Sequence, residues 1–435
     1  MATVRLGQGA WVANGTASND RIFGNILDNL IFGNGGADVI EGGAGADIIY
    51  GDSPGATNFS DTASYLSSSA AVNVDLGREL QFGGDAEGDS LISIENLIGS
   101  AFDDHLTGNS VQNKIEGGAG NDRLQGGIDG LVDTLDGGAG TDTVDYSNST
   151  VGMTVKLDQT STYATQFGVV TYTVDGAAST ANGVSEDILR KIENIIGSGF
   201  ADTLTGNEKA NVIVGGAGAD TINGGAGSDT VDYNLFGVWI SFSGTEPIPY
   251  NGSNGVDIDL LRSLQKGTIA EGDKLVSIEN VSGSFGHDIL KGANSGNRLE
   301  GKEGDDIIEG RGGNDTIRAG SGFDLLDGGA GNDDLLYDNR DTNLSSISER
   351  HWRRAAMGHD TIQNFETGKD KIDLRDLDAN RLTIDNDAFV FVDSFNGAAG
   401  QLIYIGLEMQ AVVDGDAISD LKIAVVGLQR SDVLL

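Results

Sequence analysis

The chain has 435 residues, enough for two or three ordinary domains or one long array of repeats. Its 66 acidic and 27 basic residues give a formal net charge of −39, which argues against nucleic acid and anionic membrane surfaces, both of which need basic patches, and for cations as partners. The absence of cysteine excludes disulfides, thiolate metal sites and cysteine nucleophiles.

Glycine is the second compositional signal. The 67 glycines are about twice the usual share of roughly 7%, while only 3 prolines and no strict three-residue period exclude collagen. Glycine raises the entropy lost on folding. A Gly-rich, self-repelling chain is therefore expected to fold poorly until something neutralises it. Residues 1–10 show no basic segment followed by an apolar one, so no Sec-type signal peptide is expected. No run of about 18 apolar residues is present to span a membrane.

In chain order, a nine-residue period appears in four blocks. Block one, 15–50, places its sixth positions at Asp20, Asn29, Asp38 and Asp47, and its most regular unit is Gly42-Gly43-Ala44-Gly45-Ala46-Asp47-Ile48-Ile49-Tyr50. Block two, 99–145, has Asp104, Asn113, Asp122 and Asp142, with an eleven-residue variant at 126–136 that puts Asp133 in the equivalent place. Block three, 197–232, has Asp202, Asn211, Asp220 and Asp229. Block four, 283–336, has Asp288, Asn297, Asp306, Asp315, Asp324 and Asp333. Each unit follows G-G-x-G-x-D-x-U-x, with U apolar.

The chemistry explains the spacing. Glycines allow a tight turn that aims backbone carbonyls inward: Gly42, Gly43 and Gly45; Gly117, Gly118 and Gly120; Gly137, Gly138 and Gly140; Gly215, Gly216 and Gly218; Gly224, Gly225 and Gly227; Gly304, Gly313 and Gly322; and Gly328, Gly329 and Gly331. The sixth residue adds a carboxylate, and the last three form a short strand whose apolar member faces the core. Two nonapeptides make one coil, and turns on the same side stack at about 4.8 Å. A cation between stacked turns then meets two carboxylates and several carbonyls, which is Ca²⁺ chemistry rather than that of Mg²⁺ or a softer metal. If units n and n+2 share an ion, the four blocks hold at most about ten. The units carrying Asn29, Asn113, Asn211 and Asn297, each second in its block, are expected to bind weakly.

Between the blocks lie three related inserts, 51–98, 146–196 and 233–282, which end in the shared phrases Asp89–Asn96, Asp187–Asn194 and Asp273–Asn280. Alternation at Val72–Leu76, Val155–Leu157 and Val256–Leu260 predicts half-buried strands that continue the coil. Residues 160–180 and 241–254 are expected to be loops or hairpins on one face. The segment 338–435 follows. Its only basic cluster, Arg340, Arg350, Arg353 and Arg354 with Trp352, is expected to dock on the acidic roll or form a solvated loop, the alternative being contact with an anionic partner. Alternating runs at 389–393, 401–405 and 411–413 are expected to pack sheet on sheet as a β-sandwich-like cap over the open edge.

The four blocks resemble the hemolysin-type (RTX) calcium-binding repeats. Together with the inserts they cover about three quarters of the chain. The tail phrases Gly358–Phe365, Asp370–Leu374, Phe391–Gly400 and Asp414–Ile423 resemble the C-terminal segment of serralysin-type secreted proteases, and Asp432-Val-Leu-Leu435 is similar to the end of many type I secretion substrates. The resemblance implies an all-β parallel β-roll that binds several Ca²⁺ ions through the aspartates and glycines named above, exported by a type I apparatus to the outside of the cell. No HExxH, G-x-S-x-G, P-loop or dinucleotide motif is present, and no protease domain, so a non-enzymatic role at a cell surface, matrix or host interface is expected. The alternative is a polysaccharide-active protein or accessory module, resembling the repeat modules of alginate epimerases. His105 and His287 lie in or beside turns and are expected to be exposed, without a metal role.

Overall fold

The structure, a computed structural model, describes residues 2–52, 60–127, 131–157, 159–165, 168–174, 176–180, 185–234, 255–337, 359–374, 390–391, 401–405, 408–412, 421–425 and 428–434. Two compact units divide the chain, Met1–Ile213 and Val214–Leu435. In both, the regular elements among the described residues are strands joined by turns. Among the described residues the helical elements are three-residue 3₁₀ turns at Gly84–Ala86, Thr268–Ala270 and Arg430–Asp432.

In the first unit the nonapeptide register becomes parallel pairing between strands eighteen residues apart. Ile22 lies beside Ile40 and Ile31 beside Ile49. Each unit thus contributes one short strand, and two units make a coil. Because side chains alternate along a strand, the middle residue of each x-U-x triplet turns inward while its neighbours face out. One core column runs Leu97, Ile115, Leu135, Leu189. Another runs Leu106, Leu124, Val144, Ile195. All of these side chains are fully buried.

The second unit repeats the plan. Ile258, Leu290, Ile308, Leu326 and Ile362 form one column. Val231, Val281, Leu299, Ile317, Leu335 and Ile372 form another. The core is therefore a set of single-residue apolar stacks rather than a broad interior, and each side chain has one neighbour above and one below.

The inserts continue the coil, as their alternation predicts. Asn73–Asp75 and Asp257–Asp259 pair in parallel with block strands His105–Thr107 and Ile289–Lys291. In the second insert Met153–Lys156 pairs in parallel with Thr203–Thr205, and Gln159–Thr165 with Gly168–Val174 forms the expected antiparallel hairpin. The expected loop at 241–254 and the basic cluster at 340–354 lie outside the described residues.

The described tail strands cap the open edge by continuing it. Leu421–Val425 pairs in parallel with His359–Gln363 and then in antiparallel with Glu408–Val412, which pairs with Gln401–Ile405. These strands extend one sheet of the roll. Thr361 and Ile362 follow Leu325 and Leu326 in the repeat register, so the tail inherits an open strand edge and adds to it.

The stacked-core reading gives a direct test. In Ca²⁺-saturated protein, Leu124→Ala should destabilise the fold by about 2–5 kcal/mol, whereas Ile26→Ala, at 82% exposure, should change stability by less than about 0.5 kcal/mol. Thermal unfolding of the two variants checks this; equal effects would refute the single-file core.

Candidate metal centre

Each sixth-position aspartate is carried to the end of a turn, immediately before its strand, and is buried there. Its two carboxylate oxygens have different surroundings. One, Oδ1, accepts the backbone N–H of the equivalent residue in the preceding coil. Asp38 accepts from Asp20, Asp47 from Asn29, Asp122 from Asp104 and Asp142 from Asp122, at 2.7–2.8 Å. In the second unit Asp306 accepts from Asp288, Asp315 from Asn297, Asp324 from Asp306 and Asp333 from Asp315, at 2.8–2.9 Å. The other oxygen, Oδ2, has no hydrogen-bond partner in any of these eight residues although it is buried. An ionised carboxylate oxygen in that position is costly unless a cation meets it.

The turns supply further oxygens. At Gly117, the point a Cβ would occupy lies within 3 Å of both Asp122 Oδ2 and the carbonyl of Gly137 in the next coil. Only glycine leaves room there for the two oxygens to converge. The same pair of oxygens flanks Gly33, Gly99, Gly301 and Gly310. At the next position Gly118 has φ 117°, in the left-handed region, and faces the Ser100 carbonyl of the preceding turn. Among the described residues no three His, Asp or Glu side chains gather at one point. A bound ion would thus take one or two carboxylates and complete its shell with backbone carbonyls and water. An all-oxygen, irregular shell that includes carbonyls fits Ca²⁺; Mg²⁺ demands near-ideal octahedral geometry and keeps more of its water.

Not every predicted ligand is alike. The aspartates that open each block, Asp20, Asp104, Asp202 and Asp288, have protein donors on both oxygens. Thr16, Ser100, Ser198 and Ser284, at the second position of those units, donate backbone N–H to Oδ2 and a hydroxyl to the same carboxylate. Asp133 accepts Gly127 N–H at Oδ2 and Asn113 N–H at Oδ1. These five carboxylates have less to offer a cation. Asp220 and Asp229 are buried, with Oδ2 set against Gly215 and Gly224 as in the other units. Gly42, Gly137 and Gly328 sit against their own Asp Oδ2. Gly43, Gly45, Gly120, Gly138, Gly140, Gly216, Gly218, Gly225, Gly227, Gly304, Gly313, Gly322 and Gly329 take positive φ, and Gly331 lies against the Gly313 carbonyl.

The asparagine units have a physical reason. The Nδ2 groups of Asn113, Asn211 and Asn297 each donate, at 2.6 Å, to the carbonyls of Glu95, Glu193 and Glu279 in the phrase that closes the preceding insert. A carboxylate there would face a carbonyl without a proton between them. The amide N–H supplies a hydrogen to that carbonyl, which a carboxylate could not, and Asn29 Nδ2 instead donates to Asn25 Oδ1 at 3.3 Å.

Several acids in register were not assigned from the nine-residue pattern. Asp61 Oδ1 accepts Asp38 N–H, Asp89 Oδ1 accepts Asp47 N–H, and Asp273 Oδ1 accepts Asp220 N–H, each at 2.8 Å. Glu95, Glu193 and Glu279 accept from Asp61, Asp142 and Asp229 at 2.9 Å. Asp360 and Asp370 in the tail accept from Asp324 and Asp333. The signal was present as Asp-x-U-x outside the blocks, and as Asp-Thr-x-x-Tyr at Asp61–Tyr65, Asp142–Tyr146 and Asp229–Tyr233. Those buried tyrosines donate to Asp89, Asp187 and Asp273 at 3.0, 2.7 and 3.1 Å. A hydroxyl there meets Oδ2, the oxygen left bare in the repeats. His105 is half-buried in a strand rather than exposed. His287 is exposed and accepts Asp305 N–H at 2.6 Å.

Electrostatics agree with the geometry. Burial pushes Asp38, Asp142 and Asp315 up to about 6, and Asp47, Asp122 and Asp324 to about 7. Asp306, buried between Asp288 and Asp324, is pushed to about 9. The backbone N–H each accepts opposes the shift without cancelling it.

A family model described as the RTX calcium-binding nonapeptide repeat (four copies) matches residues 23–53, 98–130, 132–148, 196–231, 278–308, 291–326 and 309–339. Comparison with curated proteins gives no match. Among solved structures the chain is similar to the extracellular lipase LipA from Serratia marcescens, with 15% identity over 87% of this chain and 45% of that one. It thus spans less than half of that protein's length, with a TM-score of 0.23. On their register and their turn chemistry, the matched segments of the chain are RTX calcium-binding nonapeptide repeats.

Proposed function

We propose that this protein is exported unfolded by a type I apparatus, folds around Ca²⁺ outside the cell, and acts there without catalysis, presenting its inserts to a surface, matrix or host partner. The observation that carries the reading is the set of buried, unpartnered Oδ2 atoms aligned along the turns. Ca²⁺ supplies the positive charge those oxygens lack. The chain's own residues set the spacing, exclude water and direct carbonyls to the same place.

Magnitudes support a folding switch. An ion that binds only the folded state at about 100 times its Kd stabilises it by about 2.7 kcal/mol. About ten such sites would together exceed the usual net stability of about 5–15 kcal/mol. The C-terminus fits the same order of events. Asp432 is buried and accepts from Gly368 N–H and Lys371 Nζ, both at 3.2 Å, while Val433–Leu434 pairs with Lys371–Asp373. A terminal acid and hydrophobes tucked in this way are accessible to an exporter only before folding.

Two measurements follow. Far-UV circular dichroism at neutral pH should show a β spectrum in millimolar Ca²⁺ and its loss in EDTA; a full β spectrum in EDTA would sink the switch. The pH dependence has a definite sign. The buried aspartates titrate above their unfolded value of 3.8, so the folded apo chain binds more protons than the unfolded one. In EDTA their contribution is complete below about pH 4 and is lost as pH rises through about 6 to 9, so β structure should return on acidification from about pH 8 to about pH 5. With Ca²⁺ bound the carboxylates must be ionised, and the dependence should reverse. A pH-independent apo spectrum would contradict the burial argument.

A further inference from the structure

The first insert joins the roll where the nine-residue pattern stops. Block one ends at Tyr50, and the next strand on that stack, Thr62–Ser64, pairs with Val39–Ile40 and with Asn96–Ile98. An expanded unit starting at Gly51 leads to it, with Asp61 in the place of the sixth residue. Asp61 is 0% exposed, its Oδ1 takes Asp38 N–H, and its Oδ2 has no partner. Asp52, at 8% exposure, also leaves a buried oxygen, Oδ1, without a partner.

The other wall comes from the end of the insert. Ser93 adopts φ 52°, a left-handed backbone that a repeat turn gives to glycine. Its carbonyl and Asp61 Oδ2 both lie within 3 Å of the point a Cβ on Gly51 would occupy. Glu95, two residues on, accepts Asp61 N–H and returns its own N–H to the Asp61 carbonyl at 3.1 Å. Burial, followed by the charges of Asp38, Asp52 and Glu95, pushes Asp61 up to about 7. Among the described residues no Lys or Arg pairs with any of these four acids.

We propose that Asp61, Asp52 and the Ser93 carbonyl hold a Ca²⁺ ion at the junction of the first block and the first insert. Asp61 and Ser93 lie between the segments 23–53 and 98–130 that the repeat model matches. The ion would bridge two points 32 residues apart in the chain and close the insert onto the coil. Two carboxylates with carbonyls and water suit Ca²⁺ at about 2.3–2.6 Å. A similar frame recurs at Gly137, where Asp142 Oδ2 and the Lys191 carbonyl converge, but there the Lys191 side chain pairs with Asp136 at 3.0 Å and already brings positive charge to the junction. The first junction has no such substitute.

This inference rests on the calcium-binding reading, and the test separates the two. Ca²⁺ bound per full-length chain is counted by native mass spectrometry in excess Ca²⁺ for the wild type and for Asp61→Asn, Asp52→Asn and Asp122→Asn. The expected result is one ion fewer in Asp61→Asn, at least one fewer in Asp122→Asn, and in Asp52→Asn either the loss of one ion or a roughly tenfold weaker site. A wild-type count in Asp61→Asn beside a reduced count in Asp122→Asn overturns the junction site and leaves the repeat sites standing. Unchanged counts in both overturn the repeat reading as well. If Asp61→Asn does not fold, Asp52→Asn decides: wild-type count and affinity there refute the proposal.

Discussion

The structure depends on one arrangement: a buried carboxylate with one oxygen bonded to the coil before it and the other left bare. The first bond sets the rise from coil to coil, because Oδ1 of Asp306 can reach Asp288 N–H, and Oδ1 of Asp324 can reach Asp306 N–H, only at strand spacing. The second oxygen makes the ladder conditional. An ionised Asp306 between two more acids is unstable in a dry turn, so the protein must either hold a proton or take a cation. The apolar columns alone cannot settle the matter, since they are one side chain wide and much of the chain's glycine entropy opposes them.

Where the ladder carries no ion, a donor of another kind completes the arrangement. Asn113, Asn211 and Asn297 turn an amide toward a carbonyl, and Tyr65, Tyr146 and Tyr233 turn a hydroxyl toward an aspartate. Block-opening aspartates are served by Ser or Thr at the second position. In the second unit Arg311, a left-handed residue at φ 75° where the pattern has glycine, binds Asp259 of the third insert at 2.7 and 2.8 Å and the Gly292 carbonyl at 2.7 Å. These substitutions share one logic: each places positive or polar hydrogen against an oxygen that would otherwise be bare. The inserts can therefore be long without breaking register, because each returns through an acid that rejoins the ladder.

Much of this was legible in the sequence because a nonapeptide is a complete instruction. Asp122 fixes the ladder, Gly117 makes room for its oxygen, and Leu124 enters the core. The eighteen-residue coil and the inward apolar residues follow from that repeat alone. Three things did not follow. Asp61 and Asp360 carry the Asp-x-U-x ending without the glycine turn, so a search for the whole repeat passes over them. The two oxygens of Asp104 cannot be distinguished from those of Asp122 in sequence, although Ser100 completes the one and nothing completes the other. In the tail, alternation announces strands that cap the open edge but not their register, which the pairing of Ile362 after Leu326 supplies.

The net charge of −39 then has two opposite roles. Before folding, like charges keep the chain extended and discourage collapse onto its short apolar triplets. After folding, the same charges are drawn into turns where repulsion between Asp306 and its neighbours would be prohibitive without neutralisation. On the proposed switch, a sequence with fewer acids would lose its dependence on calcium. One with the same acids scattered over the surface would gain solubility and no switch. Setting them at every ninth residue places the repulsion where, on the proposed switch, ion binding would relieve it.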